Sequence, residues 1–323
     1  MIPAVLALIL GIVLLAVSAD RFVAGAAVTA RVLGIPPLLV GMLVIGFGSS
    51  MPEFVVSVIS ATEGNGGLAL GNAFGSNISN IALILGITAM MKPISVKSSV
   101  LRTELPILIF ITMIASVLLG VDAELGRFDG WVLIAIFALI MGWSVWVGMN
   151  TQRDELGNNM EQALEGRMSL RRAGLYMLVG MIVLILSSRL LVWGGVTIAQ
   201  ALGISDIIIG LTIVAIGTSL PELASAIAAV RHNEHDLALG NVIGSNIFNT
   251  TIVIGAAAAI SPMEIEPDMI SRDLPIMLSF TLLLFVSCYS LGSSKPRISR
   301  PEALALLVCY VGYYALLTSE ILT

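Results

Sequence analysis

Residues 68–80, LALGNAFGSNISN, return as LALGNVIGSNIFN at 237–249, identical at ten of thirteen positions, and the offset of 169 residues needs no gap. The same offset lays GSSMPE at 48–53 on GTSLPE at 217–222. It also pairs Ser18 with Ser187, Gly34 with Gly203, Pro93 with Pro262, and Glu104-Leu105-Pro106 with Asp273-Leu274-Pro275. Whatever one half of the chain builds, the other half must build too.

Composition says where the two copies fold. Hydrophobic residues make up 57% of the 323 residues and charged ones 11%, whereas soluble domains carry roughly 25% charge. A helical span needs about 20 mainly apolar residues. Ten such stretches are expected, at 3–19, 36–62, 67–91, 104–120, 130–149, 172–188, 205–230, 236–260, 273–291 and 302–319. The expected fold is an all-α membrane protein of ten transmembrane helices, arranged as a first five-helix repeat (1–150), a cytoplasmic linker (151–170) and a second five-helix repeat (171–323). The linker region is the longest polar stretch of the chain.

Five is odd, so the second copy enters the membrane from the opposite face. Inverted-topology repeats of this kind are an architecture of secondary transporters, with the site near the midplane. With the N-terminus outside, 13 of the 16 Lys and Arg residues fall on the cytoplasmic side and three, Arg127, Arg189 and Arg272, on the other. By the positive-inside rule both termini are expected on the extracytoplasmic side of the membrane. No basic residue precedes the first apolar stretch, which is therefore read as a span and not a cleaved signal. Cys288 and Cys309 lie within expected spans and are read as packing residues.

Glu53 and Glu222 close the two G-[ST]-S-x-P-E motifs at membrane depth. An ionised residue at the centre of a span costs about 2.5–3.5 kcal/mol on insertion scales. Ala or Leu would pack better there, so helix packing alone gives no reason for a matched acidic pair. Gly46, Gly48 and Pro52 interrupt the second span, and Gly210, Gly217 and Pro221 the seventh. Proline removes a donor and clashes one turn back, so carbonyls near 48, 49, 217 and 218 lose their helical partners. A cation is one way to satisfy them. Asn72, Ser76 and Asn80 recur every four residues and form one oxygen-bearing stripe, repeated by Asn241, Ser245 and Asn249. Asn72, Asn77, Asn241 and Asn246 also serve in part as interhelical hydrogen-bond links, and Gly71 with Gly75, and Gly240 with Gly244, four apart on one helix face, allow close approach. Carboxylates, amides, hydroxyls and carbonyls without a His, Cys or Met cluster suit hard cations, Ca²⁺ or Na⁺. Ca²⁺ takes roughly six to eight oxygens.

At these two motif pairs the chain resembles the sodium/calcium exchangers of the calcium:cation antiporter superfamily, in the compact prokaryotic form, over essentially its whole length. The resemblance implies that Glu53 and Glu222 are central Ca²⁺ ligands, aided by the backbone carbonyls of Ser49 and Thr218. It implies that Ser50 and Ser76 line one flanking Na⁺ site and Ser219 and Ser245 the other, with backbone at Gly46 and Ala215 contributing. Asn80 and Asn249 would lie in the middle. The activity implied is antiport of several Na⁺, usually three, for one Ca²⁺ by alternating access. It is electrogenic, because three Na⁺ leave the site one charge more positive than one Ca²⁺ does. No cofactor and no obligate protein partner are implied. The partners are the two ions and the lipid bilayer, with no role for nucleic acid.

The chain departs from the family pattern at Ser49, which lacks the methyl of the more usual threonine. Asn249 stands where potassium-dependent relatives have Asp, which argues against K⁺ co-transport. Ser76 and Ser245 occupy the region in which calcium/proton exchangers place an acid. Proton coupling on the same fold is the alternative, since a buried carboxyl can take up a proton when its cation leaves. An intramembrane hydrolase using Ser50 or Ser219 lacks a His or Lys at either motif to activate the serine. In a passive channel, paired carboxylates would bind too tightly for fast conduction.

Three further features carry lesser expectations. Glu104 and Asp273 are read as helix-start residues beside Pro106 and Pro275. Asp20, Arg21 and Arg189 lie partway along the first and sixth spans, either as boundary residues or as parts of a sliding pair of helices. His232, His235 and Asp236 are read as a solvated turn.

Overall fold

The computed structural model describes residues 1–97, 100–121, 123–151, 168–203, 215–265, 267–288 and 296–322. Most of the expected linker (152–167) and the first part of the expected seventh span (205–214), Gly210 included, lie outside them. The described chain is a helical membrane protein. Its helices are α1 (Ile2–Leu33), α2 (Pro37–Ser49), α3 (Met51–Thr62), α4 (Gly66–Met91), α5 (Val100–Gly120), α6 (Arg127–Thr151), α7 (Leu170–Ala201), α8 (Ala215–Thr218), α9 (Leu220–Arg231), α10 (His235–Ile260), α11 (Met269–Cys288) and α12 (Arg300–Leu322). Seven of these are long and apolar enough to cross a membrane, and α2 with α3, bent by 46° at their junction, make an eighth.

α1 and α7 are each 32 residues long, about 48 Å at 1.5 Å per residue. That exceeds the hydrocarbon thickness of about 30 Å. Both therefore run on past the charges at which an apolar count would stop them, Asp20 and Arg21 in one and Arg189 in the other. Each ends at a glycine in the left-handed region, Gly34 at φ 62° and Gly203 at φ 76°, a conformation that a Cβ would oppose. The repeat offset thus has a local cause: these two glycines are the stops of equivalent helices.

Contacts gather the chain into two compact units. The first contains Met1–Val55 and Ala135–Phe248, the second Val56–Ile134 and Asn249–Thr323, so each draws on both sequence copies. In the first unit α1 and α7 pack antiparallel through small residues. A Cβ at Gly11 would stand 2.7 Å from Leu191 Cγ, and one at Gly194 would stand 2.9 Å from the Ala4 carbonyl. Further along, Gly180 lies against the backbone of Phe22. α2 packs on α10 in the same way, with Gly41 against Leu237 and Gly240, and Gly244 against Met42. The close approach expected of Gly240 and Gly244 is present. Among the described residues, Gly71 meets only Met269 Cε, at 3.6 Å, and Gly75 has no neighbour within 4 Å.

In the second unit four two-residue strands, β1 (Ile94–Ser95), β2 (Glu124–Leu125), β3 (Met263–Glu264) and β4 (Arg297–Ile298), form two antiparallel ladders. Ile94 pairs with Ile298 and Ser95 with Arg297, while Leu125 pairs with Met263 and Glu124 with Glu264. In each ladder the apolar rung is buried and the polar rung is exposed. β3 is the counterpart of β1 at the repeat offset, so each ladder joins one copy to the other, reciprocally. No strand is expected from sequence at these positions, because two residues carry no period.

Glu104 and Asp273 differ from expectation. Their helices begin earlier, with π-helical turns at Val100–Glu104 and Met269–Asp273, so neither acid is in a first turn. Asp273 instead accepts from Arg272 Nε at 2.9 Å, Arg272 Nη2 at 3.0 Å and the Tyr313 hydroxyl at 3.2 Å. Cys288 is buried in α11 and Cys309 exposed on α12, both as free thiols.

Candidate functional site

The two G-[ST]-S-x-P-E motifs fold as helix breaks. Ser50, between α2 and α3, has φ −83° and ψ 7°, and Ser219, between α8 and α9, has φ −86° and ψ 3°. The two serines hold the same bridge-region backbone, one residue before each Met/Leu-Pro-Glu. Pro52 and Pro221 then open the following helices, where a missing N–H costs least. Glu53 and Glu222 fall in the first turns of α3 and α9, where the helix dipole favours a negative charge. Each is only 1% exposed. The stretch ahead of the first break, Gly41–Gly46, is π-helical, and π turns are frequent at functional sites.

The first unit holds Gly46, Ser49, Ser50, Glu53, Ala215, Thr218, Ser219, Glu222 and Ser245. Ser50 Oγ donates to Glu222 Oε1 at 2.8 Å, linking the motif of one copy to the carboxylate of the other. Asn241 Nδ2 donates to the Glu222 carbonyl at 3.0 Å. Ser49 Oγ lies 2.8 Å from the Ile45 carbonyl and 3.2 Å from Asn241 Oδ1. Ser245 Oγ donates to the Gly46 carbonyl at 3.0 Å. That last bond is possible because residue 46 has no side chain: a Cβ there would stand 2.8 Å from the Asn241 carbonyl and 2.9 Å from Ser245 N. Ala215 begins α8 and Thr218 ends it. Among the described residues, Glu222 Oε2 and Ser219 Oγ are buried without a hydrogen-bond partner.

The second unit holds Ser76, Asn80 and Asn249, which are 5%, 1% and 0% exposed. Asn80 lies in the π-helical stretch Ser79–Ile84 of α4, and Asn249 begins the equivalent stretch Asn249–Val253 of α10. Both amide atoms of Asn249 are buried without a hydrogen-bond partner among the described residues. The expected role of the neighbouring amides as links is present. Asn72 Nδ2 donates to Ser57 Oγ at 2.9 Å, and Asn77 Nδ2 donates to Thr250 Oγ1 at 2.8 Å.

Three features of the first unit are not foreseeable from sequence. Pro221 frees the carbonyl four residues back, at Gly217, and Ser188 Oγ of α7 donates to that carbonyl at 2.6 Å. Phe47, Phe54, Phe137 and Phe248 form a cluster of rings, with Phe47 and Phe248 centroids 5.1 Å apart, covering the α2 break in apolar surface. His232 Nε2 lies 2.7 Å from Asp20 Oδ1, and Arg31 pairs with Glu234. The connection expected to be a simple solvated turn is therefore tied to α1.

Buried polar groups are normally paired, and a carboxylate oxygen or a whole amide left without a partner at membrane depth calls for a ligand. The donors are hard oxygens, and among the described residues there is no cluster of three or more His, Cys, Asp or Glu. The class these features define is a membrane transporter of hard cations.

Comparison with known proteins agrees. The family model for "Sodium/calcium exchanger protein" matches residues 3–146 and again 173–319, once in each copy. The chain is 42% identical to the putative antiporter CaxA of Alkalimonas amylolytica, over 99% of this chain and 100% of that one. It is 27% identical to the sodium/calcium exchanger MaX1 of Methanosarcina acetivorans, over 97% of both. The solved structure of the sodium-calcium exchanger NCX_Mj soaked with zero Na⁺ and Ca²⁺ superposes with a TM-score of 0.84 at 30% identity, covering 97% of this chain and 98% of that one. The chain belongs to the sodium/calcium exchanger family. Its activity is that of a cation/Ca²⁺ antiporter.

Proposed function

We propose that this antiporter couples Ca²⁺ movement to Na⁺, by alternating access, at a site whose central ligands are Glu53 and Glu222. The observation that carries this reading is Glu222 itself. The residue is only 1% exposed, with one carboxylate oxygen fixed by Ser50 and the other unpartnered among the described residues. Ionised in that position, it is costly without a counter-charge. Two glutamates neutralise one divalent ion and can supply up to four oxygens, and the Ser49 and Thr218 carbonyls add to them. Ser50, Ser76, Ser219 and Ser245, with backbone at Gly46 and Ala215, are assigned to Na⁺, and Asn80 and Asn249 to the middle of the site. Structures of NCX_Mj soaked with Na⁺ and Ca²⁺ or Sr²⁺ support the choice of ions.

The same reading includes ten spans in two inverted repeats, 1–150 and 171–323, joined by a cytoplasmic linker, with both termini outside a prokaryotic cell membrane. Two observations favour it. The family model matches once per copy. Each strand ladder joins loops that the Lys and Arg distribution puts on one face: β1 and β4 on the basic side, β2 and β3 on the other. A miscounted span would have put paired loops on opposite faces. The described helix Arg300–Leu322 has no charged residue from 303 to 317 and serves as the tenth span. A relative 40% identical over 90% of both chains is an inner membrane protein of Escherichia coli.

The test is radiolabelled Ca²⁺ uptake into vesicles carrying the purified protein, loaded with Na⁺ and diluted into Na⁺-free medium, with and without a pH gradient. Uptake is expected to require internal Na⁺ and to respond to an imposed potential. Uptake driven by the pH gradient and indifferent to Na⁺ would establish proton coupling in its place.

A further inference from the structure

Away from the ion site, α1 and α7 leave a groove of about 340 Å³ between them, in the size range of about 300–1,000 Å³ typical of ligand pockets. Leu14 and Val17 of α1 and Leu175, Val179 and Val183 of α7 form its walls, with buried Gly180 at its base. From Leu14 to Arg21, and from Val183 back to Tyr176, the groove follows each helix for seven residues, about 10 Å of rise. One end is apolar. The other is closed by Arg21, whose Nη1 donates to the Tyr176 hydroxyl at 2.8 Å while its guanidinium carbon lies 5.1 Å from the Tyr176 ring centroid.

That end is electropositive. A guanidinium has five N–H donors, so the bond to Tyr176 leaves an edge of the fork for a second oxygen acceptor. Arg172 is four residues before Tyr176 and so shares its face of α7. Arg171 and Arg172 are exposed in the first turn of that helix, where Arg21 adds to their positive potential. Asp20, beside Arg21 in the chain, is engaged by His232.

An apolar slot between two long apolar helices, ending in a forked cation beside a tyrosine, suits an anionic amphiphile. We propose that the groove holds an anionic glycerophospholipid, its acyl chain between α1 and α7 and its phosphate on Arg21 and Arg172. Basic pockets between membrane helices recognise anionic lipid headgroups in this way. The bound lipid bridges the two longest helices at the point where Phe22 and Gly180 bring their backbones together.

The experiment is native mass spectrometry of the full chain released from nanodiscs of mixed phosphatidylglycerol and phosphatidylcholine. The wild type is expected to retain one phosphatidylglycerol in several-fold preference to phosphatidylcholine. Arg21→Gln should bring that preference close to one, and Arg297→Gln, a basic change far along the chain, should leave it intact. Preference surviving in Arg21→Gln, or lost equally in Arg297→Gln, would overturn the assignment in favour of general surface charge. Should Arg21→Gln fail to fold, Val179→Trp, at an exposed position of the groove wall, should fill the slot and lower retention of both lipids. Unaltered retention in that variant would equally refute it.

Discussion

The hydroxyl of Ser188 donates to the carbonyl of Gly217 at 2.6 Å, the carbonyl that Pro221 deprives of its helical donor. The equivalent of Ser188 in the first copy is Ala19, which has no hydroxyl to make the equivalent bond at the first break. α7 is fastened to the second break by a side chain that α1 does not have. Ser188→Ala leaves a buried carbonyl unpaired, at a cost of about 1–2 kcal/mol. The expected result is a lower apparent melting temperature in detergent with Ca²⁺ transport reduced and not abolished, whereas the reverse change at the first copy, Ala19→Ser, should not lower the melting temperature by as much. Thermal unfolding of both variants, beside flux measurements, checks this.

The proposed ion ligands predict a sharper result. Glu53→Gln and Glu222→Gln keep size and lose charge, so each should reduce Ca²⁺ uptake to that of protein-free vesicles while the protein stays monodisperse. Ser50→Ala removes the 2.8 Å bond to Glu222 Oε1 without touching the charge. A hydrogen bond to a charged group contributes about 1.5–3 kcal/mol, so half-maximal Ca²⁺ should rise by roughly tenfold or more with transport retained. Near-normal uptake by either glutamine variant would contradict the assignment.

Much of this site is legible in the order of residues alone, because a doubled acid beside a doubled proline has few explanations in a membrane. The offset locates Glu222 from Glu53 and the second break from the first. What is not legible depends on contacts distant in sequence or on backbone without a side-chain signature. Ser188 is one serine among many until Pro221 frees a particular carbonyl across from it. The π turns that advance the starts of α5 and α11 to Val100 and Met269 leave no hydrophobic period to detect. Glu104 and Asp273 therefore look like helix starts in the sequence and are not.

Gly46 links packing to the proposed Na⁺ ligands. A methyl at this position would meet the Asn241 carbonyl at 2.8 Å and Ser245 N at 2.9 Å, both backbone atoms of α10 that cannot rotate aside. Gly46→Ala should therefore push α2 and α10 apart, at about 1–3 kcal/mol for overpacking, and stretch the Ser245 bond to the Gly46 carbonyl. Ser245→Ala removes the same bond with no steric effect. Both variants should raise the Na⁺ concentration needed for half-maximal exchange, but only Gly46→Ala should also lower the melting temperature. Equal stability of the two would show that the helices have room to spare.

The reciprocal ladders predict the topology residue by residue. Ser95 and Arg297 are paired in one ladder, and Glu124 and Glu264 in the other. In a background with Cys309→Ser to remove the exposed thiol, single cysteines at 95 and 297 should react with a membrane-impermeant thiol reagent only from the cytoplasmic side. Cysteines at 124 and 264 should react only from outside. Double variants should cross-link within a ladder, Ser95→Cys with Arg297→Cys and Glu124→Cys with Glu264→Cys, and not between ladders. An odd number of spans per copy requires this division, because it carries β1 and its repeat counterpart β3 to opposite faces. If cysteines at 95 and 264 were labelled from the same side, the two copies would run parallel and the inverted repeat would be lost.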